Sequence, residues 1–531
     1  MEFHNYNDQN TVAACLDRSA REFASHPLVI FGGQTVSFEQ MNLSANRVAN
    51  AFLELGIVKG DRVIILLENC LEWLYTWFGL SKIGAIAVPI NTGHRGTVLA
   101  YMIDSAEAKV MVTGKDDLEY IKDINFGKET LQTLIICCDD QQFAGLMPEK
   151  ISYSKLLTGS SSAPDCQVNH YDPMVIMYTS GTTGLSKGVL QPNYQYVWCG
   201  QNVASSLNMH PDDIFYCYFP LFHIVGAGII LMSCLVSGSA MALVPRFSLK
   251  RFWDDIKKYN ATLTGGFAVM MELLYKQPPK PEDACNSLRQ ILVGHPPESI
   301  QRDFEKRFNV TISDEYGMTE IEPISHCSSE ELHSRPGTCG RPVRDVEVKI
   351  FDENDSELAA NEVGEIVLRP QKPFIMMQKY FNAPGKTADA WRNLWFHTGD
   401  FGYLDADGYL YFVDRKKDCI RRRGENISSY EVESIINTHP KVLECAAVGV
   451  PADLGDEDIK VVIKLKPNMS LAPEEVLEFC KDQMAYFMVP KYVEFVDEFP
   501  RTETSKILKR DLKSIGEKTW DRAKEGFKLK P

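Results

Sequence analysis

No two of the fourteen cysteines in this chain are spaced Cys-x-x-Cys, and the one close pair, Cys137 and Cys138, is adjacent. That excludes the common zinc-ribbon and thioredoxin spacings. Scattered thiols without a framework suit a reducing compartment, so the expected location is the cytoplasm. Positive charge is short as well: 56 Lys+Arg stand against 71 Asp+Glu, a formal net charge of −15. A surface that acidic repels phosphate backbones and anionic lipid heads, which argues against a nucleic-acid partner. Any anionic ligand has to be held by local donors. The first residues, Met1 to Asp8, carry neither a basic nor an apolar stretch, so no secretory leader is expected. The end, Lys528-Leu529-Lys530-Pro531, is no peroxisomal address. Internal repeats and low-complexity tracts are missing too.

Long apolar runs are nearly absent. From Ile214 to Pro245 the chain has no Asp, Glu, Lys or Arg, and its apolar part is about as long as a bilayer helix. Ser237-Gly238-Ser239 interrupts it as a turn. A buried helical piece over 229–236 and a buried strand over 241–245 are therefore expected, and no membrane span.

What remains is an ordinary globular composition, 531 residues with 44% hydrophobic and 24% charged, long enough for three or four structural units at about 150 residues per domain. Strand-like Arg62 to Leu67, amphipathic Leu71 to Lys82 and strand-like Ala85 to Ile90 follow one another, which predicts βαβ units and a largely parallel sheet. Between Pro336 and Val413 the pattern becomes short β pieces punctuated by glycine. After the charge cluster Arg415-Lys416-Lys417-Asp418 a separate α+β pattern runs to the end. The expected organisation is a large domain over 1–413, a hinge over 414–418 and a small domain over 419–531.

The densest motif is Tyr178-Thr179-Ser180-Gly181-Thr182-Thr183-Gly184-Leu185-Ser186-Lys187-Gly188, placed after the apolar strand Met174 to Met177. Its glycines let backbone N–H groups approach phosphate oxygens, its hydroxyls add donors and Lys187 adds charge. A Walker A loop needs glycine before the lysine and Ser or Thr after it. Ser186 and Gly188 stand there, so a P-loop NTPase is excluded.

This run resembles the phosphate loop of the adenylate-forming superfamily, which includes acyl-CoA synthetases. Further motifs follow in that family's order: Pro220-Leu221-Phe222-His223, Asp314 to Glu320, Trp395 to Asp400, Tyr411 to Asp418 and Pro500 to Ile507. The likeness extends from about Thr11 to Leu512, with a flavour of crotonobetaine/carnitine-CoA ligases in Val88 to Asn91, Tyr316 to Glu320 and Arg423 to Asn426. The resemblance implies an α/β fold: a large N-terminal domain with layered αβαβα sheets and a β-barrel-like piece, and a small mobile α+β C-terminal domain.

It also implies roles. ATP is held by Thr179, Ser180, Gly181, Thr182, Thr183, Gly184 and Lys187, by Glu315, Tyr316, Gly317 and Thr319, by Asp400 and Arg415 at the ribose, and by Lys506. Tyr316 offers a ring to adenine, and Glu320 a hard oxygen to Mg²⁺. His223, Val225, His295, Gly317 and Met318 contact the acyl group. Lys417 is the pivot, and Arg423 and Gly424 face CoA, whose phosphates suit the arginine run Arg421 to Arg423. Lys506, with His223, Thr319 and Glu320, serves catalysis by placing charge where negative charge develops. Three positions depart from the family: Ser186 replaces a usual proline, His295 a usual alanine in Gly294-His295-Pro296, and Ser505 a usual glycine. His295 is expected to shorten the acyl pocket or make it more polar. The implied activity is ATP-dependent ligation of a small or medium carboxylic acid to CoA, in two steps through an acyl-adenylate. Alternatives are an adenylating enzyme with a carrier-protein acceptor and a non-catalytic adenylate-binding protein.

Overall fold

The computed structural model describes residues 10–121, 131–137, 149–179, 186–415, 420–422, 425–452, 457–481, 483–484, 488–501 and 507–527. The chain divides into two compact units, Met1–Glu347 with Arg369–Leu394, and Val348–Leu368 with Trp395–Pro531.

The first unit contains two sheets. The larger has nine strands, ordered Arg341–Pro342, Ile321–Cys327, Thr311–Met318, Gln290–Gly294, Leu263–Phe267, Ile214–Cys217, Ala240–Leu243, Pro27–Phe31 and Gln34–Ser37. Its interior pairs are parallel, and antiparallel pairs close both edges. The second has eight strands and runs from Lys379–Tyr380 through Lys187–Pro192, Pro173–Thr179, Ile86–Pro89 and Arg62–Leu66 to Glu149–Ser152. The βαβ unit expected over 62–90 is there, as strand Arg62–Leu66, helix Leu71–Ile83 and strand Ile86–Pro89. That helix is buried on every face except the positions of Glu72 and Tyr75, as a helix lying inside the protein must be.

Helix Asn193–Ser206 packs against strands of both sheets. Trp73, Trp77, Tyr196 and Trp198 fill the layer around it, each under 2 % exposed, and Tyr196 meets Trp77 edge-on at 5.5 Å. Gly200 sets the helix spacing: a Cβ there would lie 2.7 Å from the Met232 backbone. Gly200→Ala is thus expected to destabilise the first unit by about 1–3 kcal/mol, since rigid backbone cannot yield to overpacking. A thermal melt within a degree of wild type contradicts this.

The apolar run over 214–245 folds as the turn chemistry predicted, with one difference. Strand Ala240–Leu243 follows Gly238, whose φ is 77°, but the helical part begins as a π-helix, Val225–Leu231, before the α-helix Met232–Ser237. Among the described residues no helix is long and apolar enough to cross a membrane.

In the second unit, strands Gly364–Pro370, Trp395–Leu404 and Leu410–Arg415 pair antiparallel. A separate four-stranded sheet, Val442–Pro451, Glu457–Leu465, Tyr492–Phe495 and Trp520–Asp521, packs with helices Ser429–Asn437 and Pro473–Lys481 around a core that includes Ile436, Val461 and Leu477. The Asp414 carboxylate accepts from the Ser429 amide at 2.7 Å and its hydroxyl at 2.6 Å, which caps the helix that Ser429 begins.

Candidate active site

Residues 311–327 form a hairpin, and the motif Asp314 to Glu320 lies along its first strand and around its tip. Met318 pairs with Ile321, leaving Thr319 and Glu320 as the turn. Buried glutamines on the neighbouring strand and helix hold the tip. Gln191 donates to the Thr319 carbonyl at 2.6 Å, and Gln195 to the Thr319 and Glu320 carbonyls at 3.3 Å. The Met377 amide donates to the Glu320 carbonyl at 2.8 Å. The tip is therefore held through its backbone carbonyls, which leaves the Thr319 and Glu320 side chains outside these bonds.

The Tyr380 hydroxyl donates to Glu320 Oε1 at 2.7 Å. Lys187 Nζ lies 4.6 Å from the centre of the same ring, inside cation–π range. Lys187 stands opposite Thr179 where strands Pro173–Thr179 and Lys187–Pro192 leave the phosphate-loop segment. Tyr380 reaches this place because strand Lys379–Tyr380 extends the sheet beside Val189 and Leu190. The lysine of one motif and the carboxylate of another are thus joined through a tyrosine that sequence reasoning missed. Nothing around Tyr380 marks it locally; only sheet pairing reveals it. Burial and then the Glu320 charge push the Tyr380 phenol far above its ordinary value, so it is a donor at neutral pH.

His223 is half-buried at the entry of the π-helix. Its Nδ1 accepts from the Val225 amide at 3.3 Å, which assigns the proton of the neutral ring to Nε2. Val225, the first residue of the π-helix, Gly317 and Met318 are also half-buried.

His295 adopts φ of 57°, and its amide donates to Asp314 Oδ1 at 2.9 Å. Its ring shares a pocket with Asp314 and Cys339, one possible ligand atom from each lying within 4.8 Å of the others. The Asp314 carboxyl already accepts from the His295 and Glu315 amides and the Cys339 thiol; burial still pushes it up to about 7. Burial pushes His295 down to about 4, so the ring is neutral at pH 7. Alternation along the strand puts Asp314 and Tyr316 on one face and Glu315 and Gly317 on the other.

In the second unit Asp400 and Arg415 are register partners on adjacent strands. Glu365 organises the turn before Asp400: its Oε1 accepts from the Gly399 amide at 3.2 Å, and its Oε2 lies 3.2 Å from His397 Nδ1. Gly399 has a φ of 74°, a conformation that favours glycine. Glu365 stands outside every motif of the sequence, between the Tyr316 and Asp400 segments. Ser180, Gly181, Thr182, Thr183, Gly184, Lys417, Arg423, Gly424 and Lys506 lie outside the described residues.

Residues 16–381 match the AMP-binding enzyme family, and residues 431–506 match the AMP-binding enzyme C-terminal domain. The chain is 35% identical over 489 residues to a crotonobetaine/carnitine–CoA ligase of Salmonella heidelberg, covering 90% of this chain and 93% of the relative. Among solved structures it resembles an anthranilate CoA ligase in complex with anthranoyl-AMP, with a TM-score of 0.86 and 26% identity over 94% of this chain and 96% of that one. It also resembles the o-succinylbenzoate CoA synthetase of Bacillus subtilis in complex with its acyl-adenylate, with a TM-score of 0.81 and 26% identity over 94% and 98% of the two chains.

Proposed function

The chain belongs to the AMP-binding enzyme family and is an AMP-forming acyl-CoA ligase, and from that premise we propose that it activates a small or medium carboxylic acid with Mg²⁺-bound ATP. The observation that carries the detailed reading is the Lys187–Tyr380–Glu320 arrangement. It sets a cation over the face of one ring and a carboxylate at the hydroxyl of the same ring, where two motif-bearing hairpins end. A carboxylate resists thiol attack because its leaving group is poor. In the first step a carboxylate oxygen attacks the α-phosphorus, the bond to the β-phosphate breaks and pyrophosphate leaves. In the second the CoA sulfur attacks the acyl carbon and AMP departs. Such phosphoryl chemistry is mostly positioning and charge stabilisation.

Lys187 supplies charge to the phosphates, Thr319 a hydroxyl to the α-phosphate, Tyr316 its ring to adenine and Asp400 its carboxylate to the ribose. Glu320 suits Mg²⁺, which takes one or two carboxylates plus substrate phosphates, and the Tyr380 hydroxyl fixes the carboxylate's orientation. Bound there, the ion neutralises phosphate charge. His223 and Val225 border the acid. Residues 1–413 hold the substrates, 414–418 with Lys417 act as hinge, and 419–531 supply Lys506 to the first step and Arg423 and Gly424 to CoA. The cytoplasm is the proposed location, in keeping with described cysteines that form no disulfide.

AMP release measured with CoA, with a carrier protein and with neither tests the acceptor. Release stimulated by CoA supports the ligase reading, stimulation by carrier protein alone replaces the acceptor, and no release under any condition removes catalysis altogether.

His295 gives a sharper test of the site's two sides. Its ring lies with Asp314, on the face that carries Tyr316. His295→Ala is accordingly expected to change the KM for ATP by about three- to tenfold while leaving the ranking of straight-chain acids unaltered. A ranking that moves toward longer acids would return His295 to the acyl pocket.

A further inference from the structure

Three segments that meet near one edge of the nine-stranded sheet each bring a side chain of metal-binding type to the same spot. His295 follows strand Gln290–Gly294, Asp314 lies on its parallel neighbour Thr311–Met318, and Cys339 precedes the short strand Arg341–Pro342. One possible ligand atom from each lies within 4.8 Å of the other two, and among the described residues no other three such side chains gather as closely. Asp314 is 1 % exposed and Cys339 2 %, with His295 half-buried beside them. Each is held through its backbone. His295 has a φ of 57°, uncommon for a residue with a Cβ, and its amide is tied to Asp314 Oδ1 at 2.9 Å. The Cys339 carbonyl accepts from the Ser325 hydroxyl at 2.9 Å. Gly340, at a φ of 84°, packs so tightly on the His326 carbonyl that a Cβ would overlap it.

A carboxylate offers about four acceptor sites. At Asp314 the His295 and Glu315 amides occupy two, and the Cys339 thiol donates to a third. Sulfur and carboxylate oxygen are thus already neighbours across one proton, and the imidazole stands by as a third ligand. A divalent ion can take that proton's place. Cys339 releases its proton to solvent, and thiolate and carboxylate then supply two negative charges to the ion. The buried assembly is neutral overall, which removes much of the cost of burying charge. Thiolate with imidazole selects a borderline-soft ion over the hard Mg²⁺, and three protein ligands with an open fourth place suit Zn²⁺. We propose that His295, Asp314 and Cys339 bind Zn²⁺, with water in the fourth position. The site is separate from the Mg²⁺ place at Glu320, which lies at the tip of the hairpin whose first strand carries Asp314.

Co²⁺ is the probe, because its four-coordinate complexes are coloured and a bond to thiolate adds a charge-transfer band in the near ultraviolet. The full chain, stripped with a chelator and titrated without ATP, acid or CoA, is expected to bind one Co²⁺ with that band. It should keep the band in excess Mg²⁺ and lose it when Zn²⁺ is added. Cys339→Ser is expected to abolish the band. His295→Ala should raise the Co²⁺ concentration for half-saturation by about a hundredfold, at least what loss of an outer-shell partner costs. The two variants lie on separate segments, so if a melting curve shows that one has failed to fold, the other decides. A wild type without the band, a band displaced by Mg²⁺, or a folded Cys339→Ser or His295→Ala that titrates like wild type overturns the site. Since no substrate is present, each of those results leaves the ligase reading standing.

Discussion

Lys506→Ala is expected to abolish acyl-adenylate formation and to spare the transfer of a supplied acyl-adenylate to CoA. The lysine sits in Pro500-Arg501-Thr502-Glu503-Thr504-Ser505-Lys506-Ile507, within the matched C-terminal domain. Its compact ammonium suits the bond-making step, in which carboxylate and α-phosphate, both negative, must approach. Removing one preorganised charge from such a step costs about a hundred- to a thousandfold in rate. The second step brings a thiol to a neutral carbonyl and needs no such bridge. Single-turnover measurement of each half-reaction separates the two. Equal losses in both, with an unchanged melting curve, contradict the division of labour.

Glu320→Gln comes next in size. The amide keeps the shape and can still meet the Tyr380 hydroxyl, but it removes the anionic oxygen that a hard cation requires. The Mg²⁺ concentration for half-maximal rate of the first step should rise by about ten- to a hundredfold. Tyr380→Phe, which loosens the carboxylate without removing its charge, should raise it by less. Titration of the initial rate against free Mg²⁺ reads both; an unchanged midpoint for the glutamine variant makes Glu320 a structural residue of the hairpin tip.

The family was legible because its motifs are contiguous and follow one another in a fixed order along the chain. The βαβ unit over 62–90 was legible because strand and helix periods alternate there. What stayed hidden depends on pairing between distant segments. Tyr380 reaches Glu320 only because a two-residue strand joins a sheet edge, and Gln191 and Gln195 hold the hairpin tip only because strand and helix bring them under it. The hairpin itself was hidden too, since Gly317 suits a tight turn whatever element follows it. The burial of Glu315 and Glu322 ran against expectation, because acids are mostly exposed and no local pattern announces an exception.

Acid-dependent exchange of labelled pyrophosphate into ATP tests the central claim most directly, since it reports reversal of the first half-reaction in the absence of CoA. The account predicts that exchange requires a carboxylic acid, falls away in Lys506→Ala, and gives way on addition of CoA to one AMP and one pyrophosphate per thioester formed. Exchange without any acid, or ADP and phosphate as the products of net turnover, would contradict it.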